Sequence, residues 1–146
     1  MKQIIEYIFD NLKEPKKYID AFLLYDDKIL ILRRANYMKK FKSLWGVVGG
    51  SIEEKDKDSK SAAIREIKEE TGIELSFNEE RKMKLLETIK HEDNSTSDIW
   101  VIELESKPEV KISREHSKYE WFNEESDMNK KWMPDIFQII QKILDK

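Results

Sequence analysis

The stretch between Gly49 and Ile73 constrains the fold of this 146-residue chain more than any other part of the sequence. It opens with two adjacent glycines, which favour tight backbone geometry. Asp58 or Ser59 then offers a good helix N-cap, and Gly72 suits the position just beyond a helix end. The sequence therefore predicts a helix that runs from one of these caps to Thr71 and follows a double-glycine segment.

Three acidic side chains converge on one face of this predicted helix. Glu66 lies beside Glu69 and Glu70, because residues three and four positions apart are neighbours on a helix. Their mutual repulsion lowers stability unless a cation or basic groups neutralise it. Oxygen ligands of this kind suit a hard ion such as Mg²⁺ or Mn²⁺. A solvated helix with Glu–Lys pairs is the alternative, but the succession of strand, glycines, loop and acidic helix favours one shared cleft.

Residues 65–73, Arg-Glu-Ile-Lys-Glu-Glu-Thr-Gly-Ile, resemble the second half of the signature of the Nudix hydrolase family and match it at every fixed position. The first half departs from the family pattern. One extra residue separates Gly50 from Arg65, and no glutamate stands where the family has its first one. We expect Asp56, or alternatively Asp58, to replace that glutamate and to meet the Arg65 guanidinium.

The resemblance implies a divalent-metal site. It assigns the metal ligands of this segment to four residues: Gly49, through its carbonyl oxygen, Glu66, Glu69 and Glu70. By the same resemblance, Arg65 orients the loop and the helix. Glu115 precedes an aromatic strand, as does the loop acid that acts in the family as a metal ligand or general base.

The resemblance also implies a fold and a reaction. The family fold is an α+β domain, an α/β/α sandwich with a mixed β-sheet between helices. The implied reaction is Mg²⁺-dependent, with Mn²⁺ also possible, and cleaves a phosphoanhydride bond in a nucleoside diphosphate linked to another group by metal-activated water. Nucleoside triphosphates, sugar nucleotides, ADP-ribose and dinucleoside polyphosphates all remain open as substrates. A non-catalytic Nudix-like nucleotide-binding sensor or regulatory module is the alternative.

Basic and aromatic residues precede the glycines, where a substrate would approach. Arg33 and Arg34 are candidates for clamping phosphate, since a guanidinium forks onto phosphate oxygens. Tyr37 and Trp45 are candidates for stacking on a base, although Trp45 suits the hydrophobic core equally well. His116 is expected to be structural.

Hydrophobic periodicity and turn residues predict the other elements of one domain over residues 1–146. A short amphipathic helix is expected over residues 2–13 and a terminal helix over residues 133–144. Residues 35–43 are expected to form a loop. The predicted strands cover residues 18–25, 28–33, 44–48, 83–90, 98–105 and 118–122, the first two joined in a hairpin by Asp26-Asp27.

Composition narrows the chemistry and the location. The chain has no cysteine, which excludes disulfides, thiolate metal sites and a cysteine nucleophile. Its formal net charge of −3 indicates no general polyanion-binding surface, so no nucleic acid is expected as a partner. No stretch approaches the ~18 apolar residues of a membrane span, and the first residues do not fit a signal peptide. We expect a cytoplasmic monomer or homodimer that binds a small nucleotide substrate.

Overall fold

The computed structural model describes residue 4 and residues 14–145. Apart from Ile4, the helix expected over residues 2–13 lies outside the described residues. The strands of the described part are β1 (Lys17–Tyr25), β2 (Lys28–Arg34), β3 (Trp45–Gly46), β4 (Val48–Ser51), β5 (Lys84–Lys90), β6 (Thr96–Glu103) and β7 (His116–Phe122). Its helices are α1 (Ser59–Thr71), α2 (Phe77–Arg81) and α3 (Ile136–Leu144). None of these described helices is long and apolar enough to cross a membrane.

β1 and β2 form the expected hairpin, but they separate soon after its turn. Asp26 and Asp27 both adopt left-handed backbone conformations, with φ of 53° and 59°, as a tight two-residue turn requires. The pairs in register lie next to this turn, Leu24 with Ile29 and Tyr25 with Lys28. Beyond them the strands diverge, and residues 45–51 fill the gap, because β3 pairs with β2 while β4 pairs with β1. We call residues 45–51 the wedge segment.

The sheet separates two hydrophobic clusters. Its strand order is β3-β2-β1-β6-β5, with β7 beside β2, and β1 runs parallel to β6 while the other pairings are antiparallel. Alternate residues of β1 face opposite sides, so that Ile19 packs on the side of Ile67 in α1 and Phe22 packs on the side of Ile140 in α3. Each such fully buried side chain contributes on the order of 2 kcal/mol. A mixed sheet between helices confirms the expected α/β/α sandwich.

The boundaries of α1 agree with its capping residues. The Asp58 carboxylate accepts a hydrogen bond from the backbone N–H of Ser61 (2.8 Å), so Asp58 and not Ser59 is the N-cap. Gly72 closes the other end with a φ of 72°, and its N–H donates to the Lys68 carbonyl oxygen (2.9 Å). The helix therefore begins and ends where the sequence predicts.

Other boundaries differ from the prediction. The strand expected over residues 44–48 divides into β3 and β4, and β4 extends through both glycines because the wedge segment leaves β2 and joins β1. β6 and β7 each start two residues earlier than expected. The unexpected α2 depends on a capping box between Ser76 and Glu79, which apolar periodicity does not reveal. The terminal helix starts at Ile136 and not at Met133, because the Met133 N–H donates to the Trp45 carbonyl oxygen (2.8 Å) in an extended bridge.

Candidate active site

Glu70 is the most enclosed of the three helix carboxyl groups. It lies in the last turn of α1, where the residue is only 5% exposed, and its Oε2 accepts a hydrogen bond from the backbone N–H of Gly49 (3.1 Å). Burial and then the neighbouring Glu66 raise the pKa of Glu70 to about 10. Ionising this group therefore costs free energy unless a cation compensates its charge.

The two glycines provide room for carboxyl groups. A Cβ atom on Gly50 would collide with the Glu66 carboxyl group, whose Cδ would be 2.6 Å away. A Cβ atom on Gly49 would lie 2.7 Å from Oδ1 of Asp20. Neither glycine has a positive φ, since both lie in strand β4. Close approach of carboxyl groups, and not a positive φ, therefore explains why glycine occupies these positions.

Arg65 joins the loop to the helix through Asp56, which confirms the pairing predicted from the altered motif. Its Nε and Nη2 donate to Oδ1 and Oδ2 of Asp56, both at 2.9 Å. Nη2 also donates to the Ser51 carbonyl oxygen (3.2 Å). The hydrogen bonds from Arg65, and next the one from the Glu53 N–H, lower the pKa of Asp56 to about 2. The Asp56 side chain is 4% exposed. Its buried contact with Arg65 therefore holds the loop that carries the extra residue.

The third nitrogen of Arg65, Nη1, lies between the other two helix carboxylates. It is 2.9 Å from Oε1 of Glu66 and 3.2 Å from Oε2 of Glu69, whose side chain is 53% exposed. Within residues 14–145, no three His, Asp or Glu side chains are already arranged as a metal cage. Gly49 contacts the Glu70 carboxyl group through its N–H, and the ligand role of its carbonyl oxygen stays a prediction.

A cleft of about 560 Å³ opens beside Glu70 at the wedge segment. The diverging ends of β1 and β2, the wedge segment and the residues before α3 form its walls. Polar and aromatic side chains that line it include Asp20, Arg34, Phe41, Glu70, His116 and Asp135. A larger groove of about 800 Å³, between β5 and the end of α3, contains none of the candidate site residues. The smaller cleft is therefore the candidate active site.

The structure places Arg34 in the cleft wall and Arg33 elsewhere. The Nε of Arg34 donates to the Lys40 carbonyl oxygen (3.0 Å), which holds the loop of residues 35–43 beside the cleft. Arg33 follows the strand alternation onto the other face of β2, where its Nε donates to the Ser43 carbonyl oxygen (3.3 Å). The two arginines therefore anchor the same loop from opposite faces, and only Arg34 lines the cleft.

The two aromatic side chains predicted to stack on a base do not line the cleft. Trp45 packs with the core on the α3 side, where Nζ of Lys130 lies 5.3 Å from its ring centre. Tyr37 is 65% exposed and lies outside the cleft lining. Because side chains alternate along the wedge segment, Trp45 faces the core. The core is the alternative to base stacking that the sequence also allows for this residue. Phe41, 44% exposed, is the aromatic side chain of the loop that lines the cleft.

Glu115 and His116 are adjacent in sequence but differ in burial. Glu115 is exposed. Its charge contributes to the raised pKa of Glu70, but less than burial and Glu66 do. His116, expected to be structural, lines the cleft with a 3% exposed side chain, and its Nε2 lies 3.6 Å from Oε1 of Glu70. Burial and then the charge of Arg34 lower the pKa of His116 to about 4, so the imidazole is neutral at neutral pH.

Asp20 is a cleft residue that the sequence reasoning missed. It lies on β1 opposite Gly49 and faces the cleft. Burial and then the charge of Asp135 raise the pKa of Asp20 to about 7. The sequence signal for this residue is an aspartate within the apolar run of residues 18–25, because a carboxylate is rarely buried in such a strand unless it is paired.

Three solved structures with the same fold are each less than 25% identical to the chain. A bifunctional NMN adenylyltransferase/ADP ribose pyrophosphatase from Francisella tularensis, complexed with AMP and a Mn ion, has a TM-score of 0.75 and 24% identity, covering 99% of this chain and 46% of its own. The NUDIX domain of Shewanella oneidensis NrtR, complexed with ADP ribose, has a TM-score of 0.70 and 20% identity, covering 97% and 96%. The MutT protein of Methanosarcina mazei Go1 has a TM-score of 0.68 and 23% identity, covering 92% and 96%.

The chain spans about half the length of the first matching structures, 51% of a MutT/nudix family protein from Enterococcus faecalis and 46% of the Francisella enzyme. No curated protein matches the sequence. The family model of the NUDIX domain matches residues 15–143, which is most of the chain. This match and the shared fold show that the chain belongs to the Nudix family.

Proposed function

We propose that this protein cleaves a phosphoanhydride bond in a nucleoside diphosphate linked to another group, with the help of Mg²⁺ or Mn²⁺. The observation that carries the proposal is the convergence of Glu66 and Glu70 on Gly49-Gly50 beside the cleft. Two carboxyl groups held together at a buried position are unfavourable as anions, and a divalent cation relieves that repulsion. Membership of the Nudix family supports the same chemistry.

The three helix carboxyl groups suit a hard divalent ion, because they offer only oxygen ligands. Their side chains are 7% exposed at Glu70, 13% at Glu66 and 53% at Glu69, so the donor set extends from the interior to the surface. These three groups would hold the ion, with the Gly49 carbonyl oxygen proposed as a further ligand. A bound ion would offset the diphosphate charge and lower the pKa of an attacking water.

Arg65 would hold the metal-binding carboxyl groups in a fixed orientation. Its two hydrogen bonds to Asp56 fix the plane of the guanidinium, and its Nη1 then orients Glu66 and Glu69. A site whose ligands are held by such supporting contacts loses less conformational freedom on binding. Arg65 is thus proposed to organise the site without touching the substrate.

The cleft offers separate contacts for the two parts of a nucleotide. Arg34 and Lys40 line its wall and can attract phosphate, while Phe41 offers a ring on which a base can stack. Its volume lies within the range of about 300–1,000 Å³ that is usual for small-molecule sites. Glu115 is proposed as the base that accepts the proton of the attacking water. ADP-ribose is the first substrate to test, because one similar protein is an ADP ribose pyrophosphatase and another is complexed with ADP ribose.

A nucleotide sensor without turnover is the second candidate. The contacts of Arg65 Nη1 with Glu66 and Glu69 favour it, because they offset part of the carboxylate charge without a metal ion. Against it, such a module need not bear the repulsion between the three carboxyl groups that this chain keeps.

The deciding experiment is a screen for product release from four substrate classes: nucleoside triphosphates, sugar nucleotides, ADP-ribose and dinucleoside polyphosphates. Each is incubated with the purified protein in Mg²⁺, in Mn²⁺ and in chelator, with Glu70→Gln as the matched control. Metal-dependent turnover of one class that Glu70→Gln lacks supports the hydrolase. Tight nucleotide binding by calorimetry without turnover of any class would establish the sensor instead.

A further inference from the structure

Both carboxyl oxygens of Glu70 face a nitrogen. Oε2 accepts the hydrogen bond from the Gly49 N–H at 3.1 Å, and Oε1 lies 3.6 Å from Nε2 of His116. The second distance is slightly too long for a hydrogen bond. The side chains are only 7% exposed at Glu70 and 3% exposed at His116, and both line the cleft. The Glu66 carboxyl group also hydrogen-bonds with that of Glu70, and His116 is the side chain whose nitrogen faces Oε1.

The surroundings of the imidazole determine which nitrogen carries the proton. Nδ1 of His116 is buried and has no hydrogen-bond partner among the residues that the structure describes. A proton on Nδ1 would create a buried unsatisfied donor, whereas a proton on Nε2 points towards Oε1 of Glu70. The surroundings of Nδ1 therefore favour a proton on Nε2.

We propose that His116 is a positioning residue for Glu70: its Nε2–H donates to Oε1 while the Gly49 N–H holds Oε2, so that the carboxyl group keeps one orientation at the metal site. This inference rests on the proposed function, since the orientation of Glu70 matters for catalysis only if Glu70 binds metal. Closing the gap from 3.6 Å to the usual limit of about 3.2 Å needs only a small movement of either side chain. Supporting hydrogen bonds of this kind commonly set the orientation of metal ligands.

Amide side chains can separate the roles of the two ring nitrogens. The amide nitrogen of glutamine is as many bonds from Cα as Nε2 of histidine, and that of asparagine is as many bonds away as Nδ1. His116→Gln can therefore keep a donor to Glu70, whereas the amide of His116→Asn stops short of it. His116→Leu fills the space without any donor. Ser117→Ala, at the exposed neighbouring position of β7, serves as the matched control.

The affinity for Mn²⁺ alone is measured by electron paramagnetic resonance on these variants, with urea unfolding to compare their stability. We expect His116→Gln and Ser117→Ala to stay within about threefold of the wild type, and His116→Asn and His116→Leu to bind Mn²⁺ about 10–100-fold more weakly. Equal losses in His116→Gln and His116→Asn would overturn the proposal. So would wild-type affinity in His116→Leu, since a packing role alone would then suffice.

Nitrogen NMR of the imidazole in the metal-free wild type tests the same contact without any substitution. A proton on Nε2 is expected, and a ring protonated on Nδ1 alone would overturn the proposal. If the wild type binds no Mn²⁺ and turns over no substrate, the proposed function fails. The NMR measurement still decides in that case whether His116 donates to Glu70.

Discussion

Replacing Asp56 with alanine tests whether this aspartate, in a loop with one extra residue, replaces the first glutamate of the family signature. The substitution removes two hydrogen bonds from Arg65, both 2.9 Å, and one from the Glu53 N–H, 2.8 Å. Arg65 still donates hydrogen bonds to Glu66, Glu69 and the Ser51 carbonyl oxygen, so the guanidinium is not left without acceptors.

The expected loss of stability follows from these contacts. Removing one partner of a fully buried pair destabilises a protein by about 3–5 kcal/mol, but Arg65 keeps other acceptors and its side chain is 16% exposed. Charge-assisted hydrogen bonds contribute about 1.5–3 kcal/mol. We therefore expect Asp56→Ala to lower the free energy of unfolding by about 2–3 kcal/mol, which corresponds to a melting temperature lower by about 5–10 °C for a chain of this size.

Urea unfolding of the purified variant measures this loss, and Glu53→Ala is the control. Glu53 also faces Arg65, but at 3.9 Å and with a 46% exposed side chain, so its removal should cost less than about 1 kcal/mol. A double-mutant cycle of Asp56→Ala with Arg65→Ala should give a coupling energy of about 2 kcal/mol. If Asp56→Ala unfolds at the wild-type urea concentration, or the cycle shows no coupling, the assignment of Asp56 is wrong.

Four further outcomes are expected. Glu70→Gln should lose metal-dependent turnover by orders of magnitude, and unchanged initial rates would contradict this. The metal-free variant should unfold at the same or a higher temperature, because glutamine keeps the volume of a carboxyl group whose ionisation is opposed by burial and Glu66. Gly50→Ala should weaken Mn²⁺ binding, since its Cβ displaces the Glu66 carboxyl group, whereas Ser51→Ala should not. Gly72→Ala should lower the free energy of unfolding by about 1–2 kcal/mol, because its φ is 72°, and leave turnover unchanged. The pKa of Asp56 falls from 3.8 to about 2 on folding, so its stabilising effect is complete above pH 4 and disappears towards pH 2; unfolding of Asp56→Asn should depend less on pH across that interval.

Local signals in the sequence predicted the parts of the site that depend on neighbours in the chain. Caps at Asp58 and Gly72 set the limits of α1, and helical spacing brings Glu66 beside Glu70. The Asp56 contact could also be anticipated, because a buried guanidinium needs an acceptor and the loop supplies one nearby.

Residues that reach the cleft through the tertiary fold could not be found in this way. An acid within the apolar run of β1 marks Asp20 as unusual, but its position in the cleft depends on the pairing of the wedge segment with β1, which no local pattern predicts. Trp45 could belong to the core or to the cleft until the strand alternation of the wedge segment was known. The same limit applies to His116, whose position beside Glu70 depends on the register of β7 against β2.

The wedge segment also has a consequence for the order of folding. The hairpin turn at residues 26–27 closes a very short loop, whereas β4 reaches β1 only after the intervening chain has come back. The Gly49 amide donates a hydrogen bond to the Glu70 side chain, 21 residues away. Protection of this amide from hydrogen exchange therefore requires β4 and α1 to be packed together. Hydrogen exchange at this amide should therefore report openings that separate the strand from the helix, even while the hairpin stays folded. A ligand that bridges the glycines and the acidic helix would slow exchange at the Gly49 amide before it altered the exchange of the hairpin.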